Sequence, residues 1–228
     1  MQLTAQILKR GSSPLGGGEV HFVSPGKSPL LHLPTLHFTT PRRITSIRGI
    51  ATSTKLPAQM TTRLATSAKN VLTSFLPPSR IQIYSDPSRG NAGSPGYGIC
   101  LVAETSSGAL YTAERTCPET PTEDTTPEDI GDQCAQMLLT EIAQGGCVDS
   151  FAAPMVTICC AALNGNKGDV GRTVLGNGCA ESESWLNVVR DLKLFFGAEG
   201  RFEPEASGNG LLCRWVGTGW VNSARGTK

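Results

Sequence analysis

The chain has 228 residues, enough for one large domain or two small ones. Charged residues make up 17%, hydrophobic residues 39% and aromatics 6%, with 26 glycines and 15 prolines; this excludes a coiled coil, a collagen-like repeat and a wholly disordered chain, and predicts many turns. The net charge of +1 hides an asymmetry: residues 1–80 carry ten basic side chains against Glu19 alone, whereas residues 81–160 carry eleven acids against Arg89 and Arg115.

The basic opening segment is a candidate polyanion-facing surface, chiefly through Arg42, Arg43, Arg48, Lys55, Arg63 and Lys69. The alternative is that these charges pair with the acidic stretch 119–132 or meet solvent. No apolar run reaches the roughly 18 residues a membrane helix needs. The best candidate, 151–163, contains Pro154, so no membrane partner is expected.

Residues 1–10 alternate apolar and polar, which predicts a strand, and Pro14-Leu15-Gly16-Gly17-Gly18 separates it from a second strand at 19–23. Residues 24–41 are Pro-rich and loop-like, with a short strand expected at 30–33. Residues 44–52 predict a strand. Pro57 is placed as a helix N1 proline, and Met60, Leu64, Ala68, Val71, Leu72 and Phe75 keep helical spacing, so 57–75 predicts an amphipathic helix stopped by Pro77-Pro78. A strand at 81–84 and a polar loop at 86–96 follow. Segments 97–104 and 109–115 predict a hairpin around Thr105-Ser106-Ser107-Gly108.

Thr126-Pro127-Glu128-Asp129 opens a helix, with a Thr cap, Pro at N1 and two acids where the helix dipole favours them. Ile130, Cys134, Leu138 and Ile142 continue it to Gly145-Gly146. Segment 151–163 is nearly all apolar and is expected to be buried on most sides. Segment 164–178 reads as a turn-rich loop. A third helix spans 182–196 and ends at Gly197; closing strands are expected at 201–204 and 211–216. Helices and strands mix without strict βα alternation, so the fold class is α+β.

Eight cysteines lie mostly within apolar runs such as TICCAAL, where Cys acts as a small buried hydrophobe. The opening MQLTAQILKR lacks the apolar core and cleavage site of a signal peptide, so reduced thiols in a cytosolic or nuclear compartment are expected. The Arg/Ser/Thr-rich first third has a transit-peptide-like composition, but its length and the alternation at 19–23 argue against that. The three histidines, His21, His32 and His37, pair with no Cys or carboxylate at ligand spacing, and no C-x-x-C occurs, so no metal or cofactor is expected. GNKGDVGRT at 165–173 has the wrong spacing for a phosphate loop and carries Arg172 in place of the lysine. Segment 93–98 could cradle a phosphate but precedes a strand, so it reads better as a turn.

One helix is more specific. In 185–196, WLNVVRDLKLFF, the residues Trp185, Val188, Val189, Leu192, Phe195 and Phe196 form the predicted core stripe. Arg190, Asp191 and Lys193 fall on the other side, framed by Leu186 and Leu194. That face is either a ridge for a partner or RNA, or an ordinary solvated surface.

Several segments, taken together and in order, resemble the RNA 3′-terminal phosphate cyclase family, specifically its eukaryotic cyclase-like branch. They are Lys9-Arg10-Gly11 with PLGGGEV (14–20), Ile47-Arg48-Gly49, SPGYGICLVAET (94–105) with ALYTAER (109–115), PEDIG (127–131), LLTEIAQGGCVDS (138–150) and RDLKLFFG (190–197). The resemblance implies a larger domain of β-α-β-α-β-β repeats, here residues 1–41 and 146–228, with a smaller inserted α/β domain at 42–145. Family members are longer than this chain, so an amino-terminally truncated form is expected, with part of its apolar surface unpartnered.

True cyclases carry a late histidine nucleophile that accepts adenylate; the corresponding stretch here, 169–185, has none. The resemblance therefore implies a non-cyclase RNA-processing factor of small-subunit ribosome biogenesis. Such a factor is nuclear and nucleolar, acts on pre-rRNA, and binds a nucleolar GTPase of the small-subunit processome, with Arg190, Asp191 and Lys193 as a signature segment for partner or RNA. An ATP-dependent RNA cyclase or a non-functional fragment are the alternatives, and a direct endoribonuclease role is left open.

Overall fold

A computed structural model describes residues 4–12, 15–24, 33–41, 43–88, 93–118, 125–162, 167–205, 208 and 210–220. The chain opens with β1 (Thr4–Lys9) and β2 (Glu19–Val23), paired antiparallel from Thr4↔Val23 to Lys9↔Glu19. A two-residue strand, β3 (His37–Phe38), follows. The strand expected at 30–33 falls largely outside the described residues, and β3 lies just beyond it.

Next come β4 (Ile44–Thr54), α1 (Gln59–Leu72), a 3₁₀ turn at Pro78–Arg80, β5 (Ile81–Ser88), β6 (Gly96–Thr105), β7 (Leu110–Thr116) and α2 (Pro127–Gln144). The four strands form one sheet in the order β5-β4-β6-β7, with β4 parallel to β5 and the other pairs antiparallel. Strand β5 runs on through Pro87, which the expected loop had claimed. Being an edge strand, it tolerates a residue without an N–H.

Alternation turns Ile47, Ala51, Ile99, Leu101, Tyr111 and Ala113 to one face, where Leu64, Ala68 and Leu72 of α1 and Ile130, Cys134 and Leu138 of α2 meet them. Each large side chain so buried contributes about 1.5–3 kcal/mol. Gly131 lets the two helices touch, since a Cβ there would lie 2.6 Å from the Leu64 carbonyl oxygen. The start of α2 is the predicted one: Thr126 accepts from the Asp129 N–H, and the Asp129 carboxylate accepts from Thr126 in a reciprocal capping box. Helix α1 begins later than expected, at Gln59, with Pro57 outside it and its carbonyl accepting from the Met60 N–H.

The remaining elements are α3 (Ala153–Ala161), β8 (Val170–Leu175), α4 (Asn177–Ala180), α5 (Glu183–Phe196), β9 (Gly200–Pro204) and β10 (Leu211–Val216). Their sheet runs β3-β8-β10-β9, and α3 and α5 cover one face over a second core of Val174, Leu175, Trp185, Leu192, Cys213 and Trp215. Mixed sheets and helices in two cores make this an α+β fold.

Three local expectations are corrected here. Strand β8 lies in the segment read as a loop, because Gly171 and Thr173 occupy two of its inward positions and erase the apolar alternation. Segment 151–163 is not buried on most sides: Phe151 is 87% and Met155 63% exposed, and α3 buries mainly small residues, with Thr157 accepting from the Trp185 indole N–H at 2.9 Å. Phe195 and Phe196 are exposed rather than core: they continue the Trp185–Leu192 stripe, but they sit on the last turn before Gly197 (φ 61), where burial stops at Leu192.

The two cores are joined at residues 146–149. The Tyr111 hydroxyl donates to the Gly146 carbonyl at 2.7 Å, and the Cys147 N–H to the Val174 carbonyl at 2.8 Å. Asp149, 4% exposed, accepts from the Thr112 N–H (2.9 Å) and hydroxyl (2.6 Å) with one oxygen, and from the Ala152 N–H (2.8 Å) with the other. It thus ties the free edge of β7 to the start of α3. No helix among the described residues is long and apolar enough to cross a membrane.

All eight cysteines are free thiols. Burial pushes Cys134, Cys160, Cys179 and Cys213 up to about 12, and Cys147 up to about 11. These five should resist maleimide in the native protein at neutral pH and react fully on unfolding, as read by mass spectrometry, with the half-buried Cys100 and Cys159 labelled first. A thiol whose pKa is raised by folding holds its stabilisation below its unfolded value, about 8.5, and loses it as pH rises toward the folded one, so the fold weakens with alkali.

Candidate nucleic-acid interface

The predicted basic residues of the insert do not converge. Arg42 lies outside the described residues. Arg43 is exposed before β4 and Lys55 is exposed after it, at opposite ends of a strand roughly 36 Å long at about 3.3 Å per residue. Arg48 sits on the sheet face away from the helices, 3.0 Å from the Glu104 carboxylate. Arg63 on α1 grips Glu128 with two hydrogen bonds, 2.5 and 2.7 Å, which raise the guanidinium's pKa and hold the Glu128 carboxyl below its usual range. Glu128 belongs to the acidic stretch, so for Arg63 the charge-pairing alternative is the geometry found. Lys69 is half-buried on α1.

Helix α5 presents Arg190, Asp191 and Lys193 to solvent, opposite the buried Trp185 and Leu192. Ser182 caps the helix by accepting from the Trp185 N–H, and Gly197 closes it in the left-handed conformation. Arg190 donates to the Asn187 side-chain oxygen at 2.9 Å, and Lys193 pairs with Glu199 at 3.1 Å, both ends well exposed. Exposed contacts of this kind contribute little to stability. Replacing Arg190, Asp191 and Lys193 together by alanine should therefore shift stability by under about 0.5 kcal/mol while weakening capture of partner or RNA. Thermal melting beside a pull-down checks both halves.

Two glycine-rich segments that read as separate turns in the sequence occupy each other in the structure. The Ser12 N–H donates to the Ser94 hydroxyl oxygen (3.0 Å), the Ser94 N–H to the Gly16 carbonyl (3.0 Å) and the Gly93 N–H to the Arg10 carbonyl (2.7 Å). Arg10 forms an ion pair with Asp86 and donates to its carbonyl at 3.1 Å. A Cβ on Gly93 would stand 2.4 Å from the Gly16 carbonyl oxygen. The backbone groups that a phosphate could have used at Gly93 and Ser94 are engaged by the β1–β2 turn. Only long-range pairing, absent from either segment alone, could have revealed this.

The profile of the RNA 3′-terminal phosphate cyclase (RTC) insert domain matches residues 39–143, the part of the chain that holds the first core. The chain is 40% identical to the rRNA processing protein rcl1 of Schizosaccharomyces pombe, over 98% of this chain and 59% of the relative. It is 36% identical to the human RNA 3′-terminal phosphate cyclase-like protein, over 98% of this chain and 59% of that protein. It is 33% identical to the rRNA processing protein RCL1 of Saccharomyces cerevisiae, over 96% of this chain and 58% of that protein. It thus spans about three fifths of the length of these curated relatives. An RTC insert, a second α+β core and this identity over nearly the whole chain place it: the protein belongs to the RNA 3′-terminal phosphate cyclase family, among its cyclase-like members.

Proposed function

We propose that this protein acts in pre-rRNA processing during small-subunit ribosome biogenesis, as a cyclase-like RNA-processing factor without cyclase chemistry. The observation that carries the reading is the 40% identity, across 98% of the chain, to a protein named for rRNA processing. The chemistry agrees with it. Adenylation through an imidazole needs an imidazole, and residues 169–185, where cyclases of this family carry theirs, contain no histidine. In this reading the protein works in the nucleus, at the nucleolus, on pre-rRNA. The exposed Arg190–Asp191–Lys193 face of α5 serves a nucleolar GTPase partner or pre-rRNA. Residues 1–41 and 146–228 form part of the repeat domain and 42–145 the insert, a division supported by the two separate cores.

The test is depletion of the protein in its own cells, followed by hybridisation for ribosomal RNA precursors. Accumulation of small-subunit precursors, with loss of mature small-subunit rRNA and unchanged large-subunit rRNA, is expected. Normal small-subunit processing would contradict the reading.

A further inference from the structure

Strand register assembles a row of cations that the linear sequence does not display. In the sheet β3-β8-β10-β9, Arg214 of β10 is paired with Arg172 of β8 on one side and Arg201 of β9 on the other, and His37 of β3 is paired with Arg172. Paired residues share a sheet face. The neighbours Cys213, Trp215 and Thr173 point into the core under α3 and α5, so this row points away from the helices. Strands are about 4.8 Å apart, so three guanidinium stems stand within about 10 Å. Like charges placed directly opposite each other destabilise a sheet. Of these three arginines, Arg214 pairs with Glu203 at 2.6 Å, whereas Arg172 and Arg201 have no ion-pair partner among the described residues.

The row floors a cleft of about 1000 Å³. Lys167 adds a fourth cation to its wall, and the turn from Phe196 to Gly200 forms the opposite rim. The one acid in the lining is Glu199, already engaged by Lys193. Phe196 and Val216, both exposed, give the rim apolar surface.

We propose that this cleft binds the phosphodiester backbone of single-stranded RNA. Arg172 and Arg201 supply paired N–H donors to phosphate oxygens, Lys167 supplies a point charge, and Phe196 offers a ring on which a base can stack. An open strand face with an aromatic rim suits a flexible strand whose bases splay out, rather than a rigid duplex. An acidic peptide could use the same charges but not the ring. The site rests on the reading that the protein acts on RNA, and it names where the chain would hold it.

The test uses the purified full chain and a labelled single-stranded RNA of about 12 nucleotides. Fluorescence anisotropy is followed between about 50 and 200 mM salt. The double variant R172Q/R201Q should bind at least about tenfold more weakly, and its log–log salt slope should flatten by about 1.4, at about 0.7 per lost phosphate contact. F196A should weaken binding with the slope unchanged. The double variant should melt no lower than the wild type, since it removes facing like charges. Equal affinity and slope in the double variant and wild type would overturn the site. So would no wild-type binding at the lowest salt, or polyglutamate displacing the RNA as well as unlabelled RNA does at equal charge. The depletion experiment separates the two levels. A processing defect with unchanged binding by the double variant sinks this site alone, whereas normal processing with binding lost in the variant leaves the site and sinks the cellular role.

Discussion

Replacing Asp149 by alanine is expected to destabilise the protein by about 3 kcal/mol. Asp149 is 4% exposed and its two oxygens accept three hydrogen bonds, two from Thr112 and one from the Ala152 N–H. Removing the carboxylate leaves the half-buried backbone donors of Thr112 and Ala152 without their acceptor, at about 1–3 kcal/mol for each unsatisfied group. Asparagine in its place should cost less, because its carbonyl oxygen can still accept on one side. Urea unfolding checks this as a lowered midpoint with an unchanged slope. A loss under about 0.5 kcal/mol, the ordinary surface value, would mean that the two cores are held together elsewhere.

The second large effect is expected at Gly146. Its φ is 86, and a Cβ there would lie 2.4 Å from the Gly176 backbone nitrogen and 2.8 Å from the Leu175 backbone carbon. Neither atom can swing aside as a side chain would, so β8 must move away from the end of α2. The Tyr111 bond to the Gly146 carbonyl would be disturbed with it. Gly146→Ala should cost about 2–5 kcal/mol, combining left-handed strain of about 1–2 kcal/mol with overpacking of about 1–3 kcal/mol. Gly108, at φ 84 in the β6–β7 turn with open space around it, is the matched control. Gly108→Ala should cost only the backbone strain, about 1–2 kcal/mol. Equal losses in the two variants, measured by thermal melting, would refute the close approach at Gly146.

Much of this fold is legible from local signals. The Thr126 cap, the i, i+4 run through Ile130, Cys134 and Leu138, and the Gly197 stop each report on neighbours a few residues away, and each matches the structure. The β-α-β-β-β order of the insert is equally local, since every strand there alternates and every turn carries its own breaker. Strand β8 escapes because its inward Gly171 and Thr173 carry no apolar signal; the core above them is filled by Trp215 and Trp185 from elsewhere. Phe195 and Phe196 mislead for the converse reason, being apolar residues that keep the helical spacing of the core stripe on a last turn left exposed.

The interface is less legible than the fold. Counting charges picks out the basic first third, yet β4 spreads Arg43 and Lys55 apart, while Arg48 and Arg63 are neutralised by Glu104 and Glu128. Arg172, Arg201 and Arg214 lie far apart in sequence, and only cross-strand register makes them neighbours. Register is a non-local property, set by which faces must be buried, and no spacing rule along the chain reports it. The Arg190–Lys193 face is an intermediate case. The helical wheel alone exposes it, but its link to the cleft through Glu199 needs the turn after α5.

The proposed role in pre-rRNA processing is tested most directly by ultraviolet crosslinking in living cells, with the RNA bound to the protein sequenced. The predicted result is enrichment of small-subunit pre-rRNA, including spacer sequence absent from mature ribosomes, with crosslinked peptides carrying the Arg172, Arg201 or Arg214 strands. Crosslinks no richer in pre-rRNA than total cellular RNA would contradict it.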